Sequence, residues 1–195
     1  MSLGPLQNII ATTALALPEA RTLALAGGGA MIAHGYTERS THDIDLFTEI
    51  DDDEAVRIAV ALRLALRHRG IEIRDAAEPR DHRFIAVAAD GRTECLVEIF
   101  ADGGRLRPRV ALDIGAVLHP EDLAADKVLA LWARARPRDY HDVAALIERF
   151  GYDRLLELAA EKDAGWAEDG IEPGSIAGLV QLFEQWNTEL RNASP

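Results

Sequence analysis

Three consecutive glycines, Gly27-Gly28-Gly29, close the apolar run Leu23-Ala24-Leu25-Ala26 and lead into Ala30-Met31-Ile32-Ala33. A buried strand that ends in glycines and passes into a short helix demands a turn lined by backbone rather than by side chains. A second strand follows. In Asp43-Ile44-Asp45-Leu46, residues two apart point to the same face, so the two carboxylates share one side and the two aliphatic chains the other. Attachment points roughly 6–7 Å apart on such a strand let two carboxylates converge on one or two divalent cations. A lone Asp-x-Asp also arises in surface turns. Here the glycine turn upstream and the intervening Ser40-Thr41 favour metal binding. The glycines themselves match neither a Walker loop nor a dinucleotide fingerprint, and they read equally as tight strand-to-helix packing. What gives them chemical interest is the helix they open, whose first amides can take a phosphate.

A third acid on a neighbouring strand completes many two-cation sites, in which ions roughly 3.5–4 Å apart serve the attacking and leaving oxygens. Glu98, inside Leu96-Val97-Glu98-Ile99-Phe100, is the candidate, because a carboxylate in an apolar strand needs a partner. It reads equally as a salt-bridged edge residue. Further on, Lys127 flanks the apolar stripe Ala124, Val128, Leu131 and Ala135 of a helix. It is either a snorkelling lysine or a point charge for triphosphate oxygens. Asp139 and Asp142, three apart at a helix start, serve equally well as helix-end acids and as catalytic acids. His141 has no second histidine at a ligand-like offset on its helix and reads as structural.

The remaining chain resolves into elements by periodicity. Helices are expected over Met1 to Leu17, Ala30 to Tyr36, Val56 to Arg69, Pro120 to Ala135, Asp139 to Phe150, Asp153 to Lys162 and Ser175 to Leu190. Strands are expected at Leu23 to Ala26, Asp43 to Thr48, Ile71 to Arg74, Phe84 to Ala88, Thr93 to Phe100 and Val110 to Ile114, with a hairpin turn at Asp90-Gly91. The layout is α+β: an N-terminal helix over 1–19, a mixed-sheet unit over 20–115 and a helical C-terminal region over 116–195. Net charge is −12, which disfavours a dedicated nucleic-acid scaffold. The positive residues nevertheless cluster at Arg57, Arg63, Arg67, His68 and Arg69, at Arg105, Arg107 and Arg109, and at Arg134, Arg136 and Arg138, leaving open either a local basic groove or solvated helix and loop ends. The single cysteine, Cys95, lies in an apolar run and reads as an inert buried thiol. With no apolar stretch near the roughly 18–20 residues of a membrane span, no membrane partner is expected and the cytoplasm is the default compartment.

Taken in order, the four motifs are Gly28-Gly29 opening a helix, Arg39-x-Thr41-x-Asp43-Ile44-Asp45-Leu46, Asp122-x-x-x-Asp126-Lys127, and Arg138-Asp139-x-x-Asp142. Together they resemble the AbiEii/AbiGii-type nucleotidyltransferase toxins of the DNA polymerase β-like superfamily. The resemblance implies a palm-like mixed sheet with flanking helices, an NTP substrate and Mg²⁺ or Mn²⁺. It also implies transfer of a nucleoside monophosphate to an acceptor, a tRNA 3′ end or a protein hydroxyl, and a cognate antitoxin. Carried over by position, Asp43 and Asp45 stand at the metal ligands, with Glu98 as the third. Thr41 stands at the Ser/Thr of the glycine-to-carboxylate motif, and Gly28, Gly29 and Arg138 fall among the nucleotide-contacting positions. Lys127 stands at the phosphate-contacting lysine, and Asp139 or Asp142 at the late acidic motif. Two other readings compete: a small-molecule transferase of the aminoglycoside-modifying sort, whose polycationic acceptors suit an acidic protein, and a non-catalytic nucleotide-binding module.

Overall fold

The computed structural model describes residues 3–102 and 104–163, with isolated positions 178, 181 and 188 beyond. The expected helix over Ser175 to Leu190 therefore lies outside the described residues. The chain forms two compact units, residues 1–123 and 124–195.

The first unit is a seven-stranded mixed sheet with three helices. Its strands are β1 (Ala24–Leu25), β2 (Asp43–Thr48), β3 (Glu72–Arg80), β4 (Arg83–Val87), β5 (Glu94–Ala101), β6 (Val110–Leu112) and β7 (Gly115–Val117). They lie in the order β3-β4-β5-β2-β1-β7-β6. β2 runs parallel to β5, and β1 parallel to β7. The other neighbours are antiparallel. Helices α1 (Pro5–Leu15) and α3 (Asp52–His68) pack on one face. There Ile10, Ile44, Leu46, Ile58, Leu62, Leu66, Phe84, Val97 and Ile99 form a fully buried core. Alternation does the sorting: Ile44, Leu46 and Thr48 of β2 turn inward, whereas Asp43, Asp45 and Phe47 stay half-exposed on the opposite face.

Helix α3 starts earlier than apolar spacing alone predicts. Asp51 caps it by accepting a hydrogen bond from the Glu54 amide at 2.7 Å, and the acids at its first turn suit the positive helix end. The Asp90-Gly91 turn forms as expected: Asp90 Oδ1 accepts from the amides of Arg92 and Thr93 at 2.8 Å, and Gly91 takes a φ of 65°. These bonds and the Thr93 hydroxyl, which contributes most, hold the Asp90 carboxyl down at about 2. Two expectations are corrected. Strand β3 runs to Arg80 rather than stopping at Arg74, because it follows β4 through an irregular register past Asp75. The single edge strand over Val110 to Ile114 is instead a hairpin of β6 and β7, with Leu112 opposite Gly115.

The Asp102 to Arg109 connection is stitched down rather than free. Asp122, wholly buried in the first turn of α4 (Pro120–Arg134), accepts from the amides of Leu106 at 2.7 Å and Arg107 at 2.9 Å. Arg105 donates to the Phe47 carbonyl and to Glu49, both at 2.6 Å. Arg107 pairs with Glu121 at 2.9 Å, and Arg109 donates to the Leu23 carbonyl at 2.7 Å. This arginine cluster is therefore a set of structural pins and not a basic groove. Charged hydrogen bonds are worth about 1.5–3 kcal/mol each, so Asp122→Ala should cost about 3 kcal/mol. A urea melt checks this; an unchanged midpoint would refute the stitching.

The second unit carries the rest of α4, then α5 (Pro137–Phe150) and α6 (Tyr152–Lys162). Ala135 takes a left-handed φ of 47° at the turn after α4, and Pro137 opens α5 with its preset φ. Helices α5 and α6 pack on each other, burying Val143, Leu146, Leu155 and Leu158.

Candidate active site

Strand β1 ends at Leu25, and helix α2 (Gly27–Ala33) begins inside the glycine run rather than after it, as spacing had suggested. The cause is local. Gly27 has a φ of 55°, which favours glycine, and a Cβ built on it would lie 1.8 Å from Asp45 Oδ2. A Cβ on Gly28 would meet Thr41 Oγ1 at 2.8 Å and Arg39 Nη2 at 3.4 Å. One on Gly29 would meet Leu25 Cδ1 at 2.9 Å. Thus Gly27 and Gly28 yield space to the polar residues of the β2 entry, whereas Gly29 serves strand-to-helix packing.

Those polar residues stand in a row. Thr41, buried, donates its hydroxyl to Asp43 Oδ1 at 2.5 Å, and its carbonyl accepts from Gln7 of α1 at 3.2 Å. Parallel pairing with β5 sets Asp43 beside Leu96 and Asp45 beside Glu98. Side chains level with one another on adjacent strands share a face, so Asp43, Asp45 and Glu98 all lie on the face away from the core. Glu98 Oε1 is held by Arg83 Nε of β4 at 3.0 Å, the salt bridge that an acid in an apolar strand requires. Arg39, quoted in the motif but not assigned a role from sequence, reaches Gly28. Arg39 and Thr41 precede β2, so strand alternation covers only Asp43 and Asp45.

Cys95 sits within the core beside this row, 1% exposed. Burial, with the negative charges of Asp43 and Asp45, pushes its thiol up to about 12. An inert thiol is thereby explained. Among the described residues, no group of three or more His, Cys, Asp or Glu side chains is close enough to hold a metal ion. Two aspartates nevertheless fit Mg²⁺, which commonly takes one or two carboxylates and fills its other positions with water and substrate phosphate.

In the second unit, Lys127 Nζ pairs with Asp142 Oδ2 at 2.8 Å, both side chains being buried. Asp139, wholly buried, accepts from Arg134 Nε and Nη2 at 3.0 Å and from the Arg136 amide at 3.1 Å. It sits at the third position of α5 rather than at its cap, which is Arg136. Arg138 lies half-buried in the same first turn. Lys162 pairs with Asp126 at 2.7 Å.

Because Gly27 has neither the backbone angle nor the room for a side chain, Gly27→Ala should force Asp45 aside. The left-handed angle alone costs about 1–2 kcal/mol. Lowered thermal stability together with weakened cation binding is expected; wild-type behaviour in both assays would refute the close approach.

The chain thus combines a mixed sheet with an Asp-x-Asp strand beside a glycine turn. The sequence matches the family described as nucleotidyl transferase AbiEii toxin, type IV toxin–antitoxin system, over residues 10–189. The chain belongs to that family. Among solved structures, an antigenic nucleotidyltransferase-like protein from Paracoccidioides brasiliensis is similar at 15% identity, covering 93% of this chain and 95% of its own, with a TM-score of 0.53. The nucleotidyltransferase toxin MenT4 from Mycobacterium tuberculosis is similar at 16% identity, covering 78% and 62%, with a TM-score of 0.54. The antibiotic-resistance factor ANT(2″)-Ia is similar at 17% identity, covering 84% and 94%, with a TM-score of 0.51. At such identities these likenesses speak for the fold. No curated protein matches by sequence. No helix among the described residues is long and apolar enough to cross a membrane.

Proposed function

We propose that this chain is an Mg²⁺-dependent transferase that moves a nucleoside monophosphate from an NTP to an acceptor hydroxyl, and that it is the toxin of a toxin–antitoxin pair. The carrying observation is the pressing of Gly27 against the Asp45 carboxylate, which sets backbone and paired acids side by side on the open sheet face. Acceptor oxygen attacks the α-phosphorus in line, and pyrophosphate leaves with its electron pair. Such a transfer needs positioning and charge neutralisation above all.

Asp43 and Asp45 hold the cation, which when bound neutralises phosphate charge and polarises the phosphoryl oxygens. Thr41 keeps Asp43 oriented through its hydroxyl. Gly28, free of a side chain, lets the triphosphate approach the backbone, and Arg39 adds positive charge beside it. Glu98 lies on the same face but is engaged by Arg83 and makes no three-carboxylate group with the two aspartates, so it is left out of the cation set. Within the second unit, Lys127 stands at the phosphate-contacting position of its motif, and its ammonium is held by the Asp142 carboxylate. Asp139 is assigned to building the first turn of α5, since both its oxygens are already engaged there.

Incubation with each α-labelled NTP, Mg²⁺ and total tRNA or cell protein is the direct test. Label on RNA or protein is expected, as is growth arrest on expression. A second reading is transfer to a polycationic small molecule. It is favoured by the net charge of −12 and by the likeness to the resistance factor. An antibiotic panel separates the two: resistance without growth arrest selects the small-molecule acceptor. No transfer to any acceptor would sink both.

A further inference from the structure

The acid row is followed, one pleat repeat along the same face, by a row of rings. Phe47 lies level with Phe100 in the β2–β5 pairing, directly after the level pair Asp45 and Glu98. The two rings meet edge to face with centroids 5.9 Å apart. His82, in the turn before β4, adds a third ring with its centroid 5.9 Å from that of Phe100. Its position is set by its own carbonyl, which accepts from the Ile99 amide at 3.0 Å.

These rings are out of place for a core. The inward side of the sheet already holds Phe84, wholly buried, whereas Phe100 is 37% exposed. Apolar surface left in water forgoes the stabilisation of burial, so two adjacent phenylalanines on the open face are not explained by packing alone. The spacing suggests their use. From Asp45 to Phe47 is two residues of strand, roughly 6.5–7 Å. That is on the scale of the step from a nucleotide's phosphate across its sugar to its base.

Building on the reading of Asp43 and Asp45 as the phosphate-proximal acids, we propose that Phe47, Phe100 and His82 form a stacking ledge for a nucleobase. Every base has a π-surface to lay against these rings, so the ledge discriminates weakly among bases. His82 contributes a ring nitrogen at the rim that can bond a base edge. The base comes either with the NTP or with the terminal nucleotide of an RNA acceptor. Both supply the same planar ring.

The test titrates full-length protein, in Mg²⁺, with each of the four NTPs, with inorganic triphosphate and with a short single-stranded oligoribonucleotide bearing a free 3′ hydroxyl. Phe100→Leu and Phe47→Leu keep apolar bulk and remove a ring; Phe100→Tyr restores one. Stacking on an aromatic side chain predicts that Phe100→Leu weakens a base-bearing ligand roughly ten-fold or more, while Phe100→Tyr recovers it. Inorganic triphosphate, having no base, should bind all forms equally. A loss confined to NTPs places the donor base on the ledge; a loss confined to the oligonucleotide places the acceptor base there. Unchanged affinity for NTPs and oligonucleotide in both leucine variants overturns the ledge, as does failure of the wild-type chain to bind either. Ring-dependent binding without label transfer would leave the ledge standing and defeat the transferase reading. Transfer indifferent to both rings would do the reverse.

Discussion

Asp43→Asn/Asp45→Asn should abolish nucleotidyl transfer, lowering the rate by about a thousand-fold or more, because a catalytic metal supplies several kcal/mol of charge stabilisation at the transition state. Asparagine keeps the shape of each side chain, so the sheet should fold as before. Both residues are half-exposed and neither belongs to the apolar core. The informative comparison is with Thr41→Val, which leaves both carboxylates but removes the hydroxyl that bonds Asp43 at 2.5 Å. A smaller loss is expected there, relieved in part by raising Mg²⁺. Single-turnover measurement of labelled product, with circular dichroism as the folding control, decides the matter. Retained transfer in the double variant would place the chemistry elsewhere in the chain.

The second large effect concerns stability. Asp142→Ala removes the carboxylate that meets Lys127 Nζ at 2.8 Å and leaves a buried ammonium behind. Removing one partner of a buried pair typically costs 3–5 kcal/mol, about 10 °C of melting temperature for a chain of this size. Replacing both partners at once, Lys127→Met with Asp142→Leu, should recover most of that stability, since a packed apolar pair substitutes well for buried charges. Such a variant also isolates chemistry from folding. If it is stable yet transfers nucleotide poorly, the charge of Lys127 matters to the reaction and not only to the helices. Equal melting temperatures for Asp142→Ala and wild type would show that the pair contributes nothing.

Period two and glycine carried most of what the sequence revealed. Asp43 and Asp45 declared a shared face because Ile44 and Leu46 had to be buried, and the β2 boundaries followed from that alternation. Sequence could not show which strand would lie beside β2. The level pairing of Asp45 with Glu98 is a property of register, fixed by the hydrophobic faces of two strands far apart in the chain. The arginines at 105, 107 and 109 were opaque for another reason. An exposed guanidinium and one bonded to a backbone carbonyl look alike in sequence, and only the fold brings the carbonyls of Phe47 and Leu23 to them. Conversely, the Gly/Pro signals that predicted loops at Gly70, Gly91 and Gly151 acted locally, each glycine taking a positive φ with no neighbour within 4 Å of an added Cβ. The β6–β7 hairpin was hidden because its two strands are only three residues each, too short to show a period.

The pairing of β2 with β5 has a consequence in time. Asp45 is fixed against Glu98, and Leu25 against Val117, so the carboxylate face is closed by partners that leave the ribosome long after the aspartates themselves. Contacts so distant along the chain form only after a large loop entropy has been overcome, which makes them slow and late. A nascent chain that has reached α3 already contains both aspartates and all three glycines of the turn, yet has only the two-residue β1 against which to set their strand. The sheet on either side of that pair is completed only as β5 and then β7 are laid in. That ordering delays the carboxylate face until β7 has been made, at residue 117, and leaves fragments that stop short of β5 without it.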